Sequence, residues 1–229
     1  MKKFKKRKII IPITLILSIC IGTYCYFNSE KVINQPITDN ELINYDYTTL
    51  LVNYENKLPD DYETVIQDYK PPKGSKVEVS AVIVEALNSL FEAADQDGLN
   101  LTINSAYRSY EDQEVIMNNK IFSLEEKGYD EDESVEIAKN YVAIAGYSEH
   151  QTGLAVDLGC YGNTTWDICY DWLEENAYKY GFIYRFPEDK VEITKINNEP
   201  WHYRYVGEQM AEKIYESGLC LEEYLEQYG

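Results

Sequence analysis

Apolar residues at Val82, Val84, Leu87, Leu90, Phe91 and Ala94 recur at helical spacing and predict a core-facing helix, with Gly98 as its stop. The period then changes: Leu99 to Ala106 alternates apolar and polar residues, as a half-buried strand does. Ser109 to Glu126 predicts a helix, and a second runs from about Asp132 to Ala145 with acids at its N-terminal end, where the helix dipole favours them. Gly153 to Leu158 reads as a short strand, and Asp167 to Tyr180 as a helix closed by Gly181. Further short strands are predicted at Phe182 to Arg185, Val191 to Ile196 and His202 to Val206, and one or two helices over Glu208 to Gly229. Helices dominate the first part and strands the later part, so the predicted class is α+β, a small antiparallel sheet flanked by helices.

The N-terminal pattern is different in kind. Ile9 to Phe27 contains no charged residue, and about 20 apolar residues span a bilayer. Lys2, Lys3, Lys5, Lys6, Arg7 and Lys8 precede it, a basic flank that stays on the cytoplasmic side. The expectation is a cytoplasmic tail at 1–8, a single transmembrane anchor at 9–27, a polar linker at 28–72 ending in Pro71-Pro72, and an extracellular domain at 73–229. Short apolar patches in the linker, such as Leu50-Leu51-Val52, could dock on that domain. A cleaved signal peptide would need an A-x-A pattern that the end of the run lacks, and Ile19 is too bulky to precede a lipidated Cys20.

Charge narrows the partners. The 229 residues hold 21 bases and 40 acids; with six bases in the tail and the first acid at Glu30, everything after the anchor carries 15 bases against 40 acids. Such a surface repels phosphate backbones, which excludes nucleic acid. Cys160 and Cys169 are close enough in sequence to close a small extracellular disulfide loop, or they and Cys220 are free buried thiols.

The chain has only two histidines, and each stands beside a carboxylate: His150 precedes Asp157 across Gly153, and His202 follows Glu199-Pro200-Trp201. A hydrolytic zinc ion takes about three protein ligands and leaves one position open. His150, Asp157 and His202 would supply two imidazoles and a carboxylate, and Gly153 would let the backbone between them turn tightly. Glu199 is the candidate base. Positions i and i+3 face opposite ways on an ideal strand, so Pro200 must break the strand for Glu199 to reach the same centre. Arg108 follows a predicted strand, and its fork could bind a carboxylate or a developing oxyanion. Taken singly, each residue fits a blander reading: a histidine packed on tryptophan, a turn aspartate, a surface ion pair.

Together they resemble a known family. Ser105-Ala106-Tyr107-Arg108-Ser109 with Gln113, the pattern Ser148-x-His150-x-x-Gly153-x-Ala155-x-Asp157, and Glu199-Pro200-Trp201-His202-Tyr203 are similar to the VanY-type D-alanyl-D-alanine carboxypeptidases. These belong to the zinc D,D-peptidase group with a hedgehog-like fold. The likeness extends over about residues 77 to 215 and includes Trp172 to Phe182. It implies one zinc ion held by His150, Asp157 and His202, with Glu199 as catalytic base and Arg108 stabilising the transition state. It also implies that Gln113 and Ser148 hold the substrate's end. The implied activity is removal of the terminal D-alanine from peptidoglycan stem peptides at the outer membrane surface, with a contribution to glycopeptide resistance. An L,D-carboxypeptidase acting on tetrapeptide stems and a non-catalytic wall-peptide sensor are the alternatives.

Overall fold

In the computed structural model, which describes residues 47–162 and 164–229, two antiparallel sheets carry the fold. A two-stranded ribbon pairs β1 (Ile66–Tyr69) with β2 (Val77–Ser80). The main sheet has the order β3-β4-β6-β5, formed by β3 (Leu101–Ser105), β4 (Ala155–Cys160), β5 (Phe182–Tyr184) and β6 (His202–Tyr205). Helix α1 (Val84–Gln96) lays Leu87, Leu90, Phe91 and Ala94 into the core beside Leu101, Ile103, Val156, Leu158, Phe182 and Tyr203 of the sheet. Alternation does the rest. Val156 and Leu158 enter that core, so Asp157 between them takes the opposite face; Tyr203 likewise leaves His202 and Arg204 on the face of Asp157.

Between β3 and β4, α2 (Tyr110–Glu125) and α3 (Glu131–Lys139) form a hairpin around Met117, Leu124 and Ala138. Both begin with reciprocal capping boxes, Ser109 with Asp112 and Asp130 with Glu133, which satisfy otherwise orphaned backbone donors. Helix α4 (Trp166–Asn176) buries Cys169 and Leu173, and the Cys160–Cys169 disulfide fastens its first turns to the end of β4. After β5 comes a helical turn, α5 (Val191–Thr194); α6 (Glu208–Ser217) and α7 (Leu221–Tyr228) close the chain around Ile183, Val206 and Ile214. Cys220 is buried and free.

The α+β expectation holds, with four revisions. Val191 to Ile196 is not a strand: Pro187 caps a 3-10 turn that runs into α5, where Val191 and Ile193 are half-buried, Thr194 is buried and Glu192 is exposed, a pattern that a single helical turn and a short strand share. The helix expected to reach Ala145 ends at Lys139, and 140–147 runs in turns along the site. Strand β4 is shifted to Ala155–Cys160 because Gly153 is left-handed, at φ +71°. From residue 47 onward the expected linker is part of the fold: Val52 is buried, β1 pairs β2, and the carbonyls of Thr48 and Leu50 accept from the buried Arg204 Nη2 at 3.2 and 3.0 Å. Polar segments that contribute backbone acceptors leave no periodic signature. The apolar run at 9–27 lies outside the described residues, and among those described no helix is long and apolar enough to cross a membrane.

Candidate active site

Register builds the centre. Asp157 on β4 is flanked by Ser105 of β3 on one side and His202 of β6 on the other, each its direct cross-strand partner. A bulge between Ile103 and Ser105 shifts the β3 register just before the site, as bulges near active sites do. His150 comes from a 3-10 turn, Glu149–Thr152, anchored on the loop after β3: Arg108 N–H donates to the His150 carbonyl at 3.2 Å. Gly153 ends that turn in the left-handed region, with its carbonyl accepting from Ser80 N–H at 2.9 Å. The break before β6 is a tight turn with Pro200 and Trp201 at its centre, closed by His202 N–H donating to the Glu199 carbonyl at 3.0 Å. That turn brings Glu199 Oε2 to 3.9 Å from His202 Nδ1.

The three expected donors converge. His150 Nε2 and His202 Nδ1 lie 3.3 and 3.1 Å from Asp157 Oδ1, and one ligand atom from each residue falls within 4.8 Å of the others. The opposite ring nitrogens are occupied. His150 Nδ1 donates to the Ala106 carbonyl at 2.7 Å, and His202 Nε2 faces Glu149 Oε2 at 3.3 Å. The histidines therefore aim different ring atoms at the same point, each with its far side anchored, the usual arrangement of ligating imidazoles. Two imidazoles and one carboxylate suit a divalent cation of intermediate softness. The residues present fit a metal ion.

Electrostatics agree with a site that wants a cation. Burial would drive His202 toward neutrality, but the Asp157 and Glu149 carboxylates outweigh it and push the ring up to about 9. Asp157 is buried too, yet His150 and His202 hold it well below the carboxylate range. His150 is lowered by burial, against the pull of Asp157. Glu199 goes the other way: burial, aided by Asp157 and opposed by His202 and Arg108, raises it to about 7, the range suited to a general base.

Each nitrogen of Arg108 has one protein partner. Its Nε donates to Ser105 Oγ at 3.1 Å, Nη1 to Gln113 Oε1 at 2.8 Å and Nη2 to Asp157 Oδ2 at 3.4 Å. Gln113 is buried, and its Nε2 donates to the Ala143 carbonyl at 2.6 Å, so its amide braces Arg108. Ser148 is buried at the edge of a cavity of about 490 Å3 that also exposes Arg108, His150, Asp157, Glu199 and His202. Tyr141, Ile144, Tyr147 and Trp201 contribute apolar walls. The volume is that of a small-molecule or peptide-end site.

One functional neighbour escaped the sequence reading. Glu149 is 3% exposed; it accepts from Arg185 Nε at 2.8 Å, faces His202 Nε2, and is ion-paired with Arg204 Nη1 at 3.3 Å without a hydrogen bond between them. Nothing marks Glu149 itself among so many acids. The available signal was Arg185 and Arg204, charged residues set inside apolar strands, which must find buried partners.

Residues 76–208 match the VanY family, D-alanyl-D-alanine carboxypeptidase. A D-alanyl-D-alanine carboxypeptidase of Enterococcus faecalis is 44% identical over 181 residues, which cover 79% of this chain and 66% of that protein. VanYB in complex with D-alanine-D-alanine superposes with a TM-score of 0.75 at 43% identity, over 80% of this chain and 99% of the other. A VanY variant from a VanB-type resistance cassette in complex with Zn(II) gives 0.73 at 44% identity, over 78% and 99%. The LD-carboxypeptidase LdcB gives 0.66 at 39% identity, over 80% and 87%. With residues 76–208 matching the family's model and relatives above 40% identical aligning over most of the chain, this chain belongs to the VanY family of D-alanyl-D-alanine carboxypeptidases.

Proposed function

We propose that the chain is a zinc carboxypeptidase that removes the terminal D-alanine from peptidoglycan stem peptides ending in D-Ala-D-Ala. The observation that carries this reading is the convergence of His150, Asp157 and His202 on one point, with Glu199 beside it and Arg108 braced over Asp157. His150 Nε2, an Asp157 oxygen and His202 Nδ1 would hold one zinc ion. When bound, zinc polarises the scissile carbonyl and acidifies a water. Glu199 accepts the proton of the attacking water and passes it to the departing D-alanine amine. The Arg108 guanidinium, held by Ser105 and Gln113, offers fixed positive charge where the carbonyl oxygen becomes anionic. Ser148, on the cavity edge, contacts the end of the peptide, and the apolar walls exclude water around it.

The basic tail and the apolar run at 9–27 support a single-pass anchor with this domain on the outer face of the cytoplasmic membrane, where its substrate lies. Removing the terminal D-alanine also destroys the ligand of glycopeptide antibiotics, so the same activity would lower susceptibility to them. The likeness to LdcB favours a second reading, an L,D-carboxypeptidase acting on tetrapeptides with the same machinery.

The test uses the full chain in detergent with zinc, beside Glu199→Gln. Each is incubated with wall pentapeptide and with tetrapeptide, and D-alanine release is followed by mass spectrometry. Zinc-dependent release from the pentapeptide, reduced about 100- to 10,000-fold in the variant, is the expected result. Release from the tetrapeptide alone moves the assignment to the L,D reading, and zinc binding without release from either sinks both.

A further inference from the structure

Behind the donor triad lies a buried ionic cluster that the hydrolytic chemistry does not use. Glu149 divides its two oxygens: Oε1 accepts from Arg185 Nε at 2.8 Å and is ion-paired with Arg204 Nη1 at 3.3 Å, while Oε2 faces His202 Nε2 at 3.3 Å. Arg185, fully buried, forks its Nη1 and Nη2 onto the two oxygens of Glu222 at 2.8 and 2.6 Å, and Asn53 Nδ2 donates to Glu222 Oε1 at 3.0 Å. Glu222 sits in the first turn of α7 and Asn53 in the segment ahead of β1. Two arginines and two glutamates already balance, so neutrality does not require His202. Buried ion pairs of this kind seldom add net stability over apolar packing. What the cluster does accomplish is geometric. It holds a carboxylate rigidly on the far side of one imidazole.

We infer that Glu149 is the positioning residue for His202, fixing its Nε2–H tautomer and ring plane so that Nδ1 faces the metal, and that Arg185 and Glu222 hold Glu149 in place. The two ends of the described chain thereby become part of the metal centre although neither supplies a ligand. A carboxylate behind a ligating imidazole raises its basicity, and losing such a partner typically lowers metal affinity about 10- to 100-fold. The inference rests on the zinc reading proposed above.

The experiment uses the full chain in detergent with 15N-histidine; only two histidines are present, so their signals separate with one substitution. In the zinc-loaded wild type, long-range nitrogen–proton spectra should show His202 protonated at Nε2, with that proton protected from exchange. Zinc affinity by chelator competition should fall at least 10-fold in Glu149→Gln, with kcat reduced and KM within about twofold. Glu149→Asp, which keeps the charge for both arginines but shortens the reach, should fall between, and Glu222→Gln should show a smaller loss in the same direction. If Glu149→Gln does not fold, the wild-type spectrum and Glu149→Asp decide. An unprotected or absent Nε2 proton on His202, or wild-type zinc affinity in folded Glu149 variants, overturns the positioning role while leaving the zinc reading intact. A wild type that takes up no zinc overturns the zinc reading itself, and this inference with it.

Discussion

Replacing Gly153 with alanine perturbs the hinge between two donors without touching either. The backbone at 153 has φ +71°, and an added Cβ would sit 2.7 Å from Ile66 Cδ1, 2.9 Å from Ser80 N and 3.2 Å from Ser80 Cβ. The isoleucine tip can rotate away. The Ser80 nitrogen cannot, because it donates to the Gly153 carbonyl at 2.9 Å and belongs to β2. Left-handed backbone costs a β-carbon residue roughly 1–2 kcal/mol, and the overpacking adds about 1–3 kcal/mol. A total near 3 kcal/mol lowers the melting temperature of a domain this size by about 10 °C. Gly98→Ala separates the two contributions, since Gly98 has φ +81° and nothing within 4 Å of its added Cβ; it should lose only the backbone share, roughly 1–2 kcal/mol. Differential scanning calorimetry of the zinc-loaded proteins reads both. Because relief at 153 moves the 3-10 turn against β4, zinc affinity should fall in Gly153→Ala and stay at the wild-type value in Gly98→Ala. A Gly153→Ala protein no less stable than Gly98→Ala, with unchanged zinc affinity, would refute the argument.

Two further outcomes follow from the same geometry. Glu199 works as a base when deprotonated, so activity rises with pH through its pKa; burial raises that value to about 7 without metal, and a neighbouring cation favours the carboxylate. The acid limb of kcat/KM should therefore lie between the ordinary glutamate value near 4.3 and 7, and a profile flat from pH 4 to 7.5 would exclude Glu199 as the base. Arg108→Lys keeps the charge but cannot reach Ser105, Gln113 and Asp157 together. It should lose about 100- to 1,000-fold in kcat with zinc affinity unchanged, and full activity would remove Arg108 from the oxyanion role.

Much of the centre was legible locally. The pattern from Ser148 to Asp157 carries its own turn residue, and Glu199-Pro200-Trp201-His202 carries the proline that bends the chain, so both halves announce their shape within ten residues. The core helix α1 showed in its period because one face is buried and the other wet. The strand expected at Val191 to Ile196 failed because four residues in a helical turn and four in a strand present the same alternation.

What the sequence alone determined was which residues could act: two histidines, one aspartate, one glutamate and one arginine in motifs whose local geometry follows from their own glycine and proline. Only tertiary structure decided how they meet. The pairing of Asp157 with His202 spans 45 positions, that of Glu149 with His202 spans 53, and that of Asn53 with Glu222 spans 169. Contacts at such separations form when the whole core closes and its loop entropy has been overcome. Nothing within a local window distinguishes a buried Glu149 from the exposed acids around it, because burial of a charge depends on arginines that arrive from β6 and from the residue just after β5.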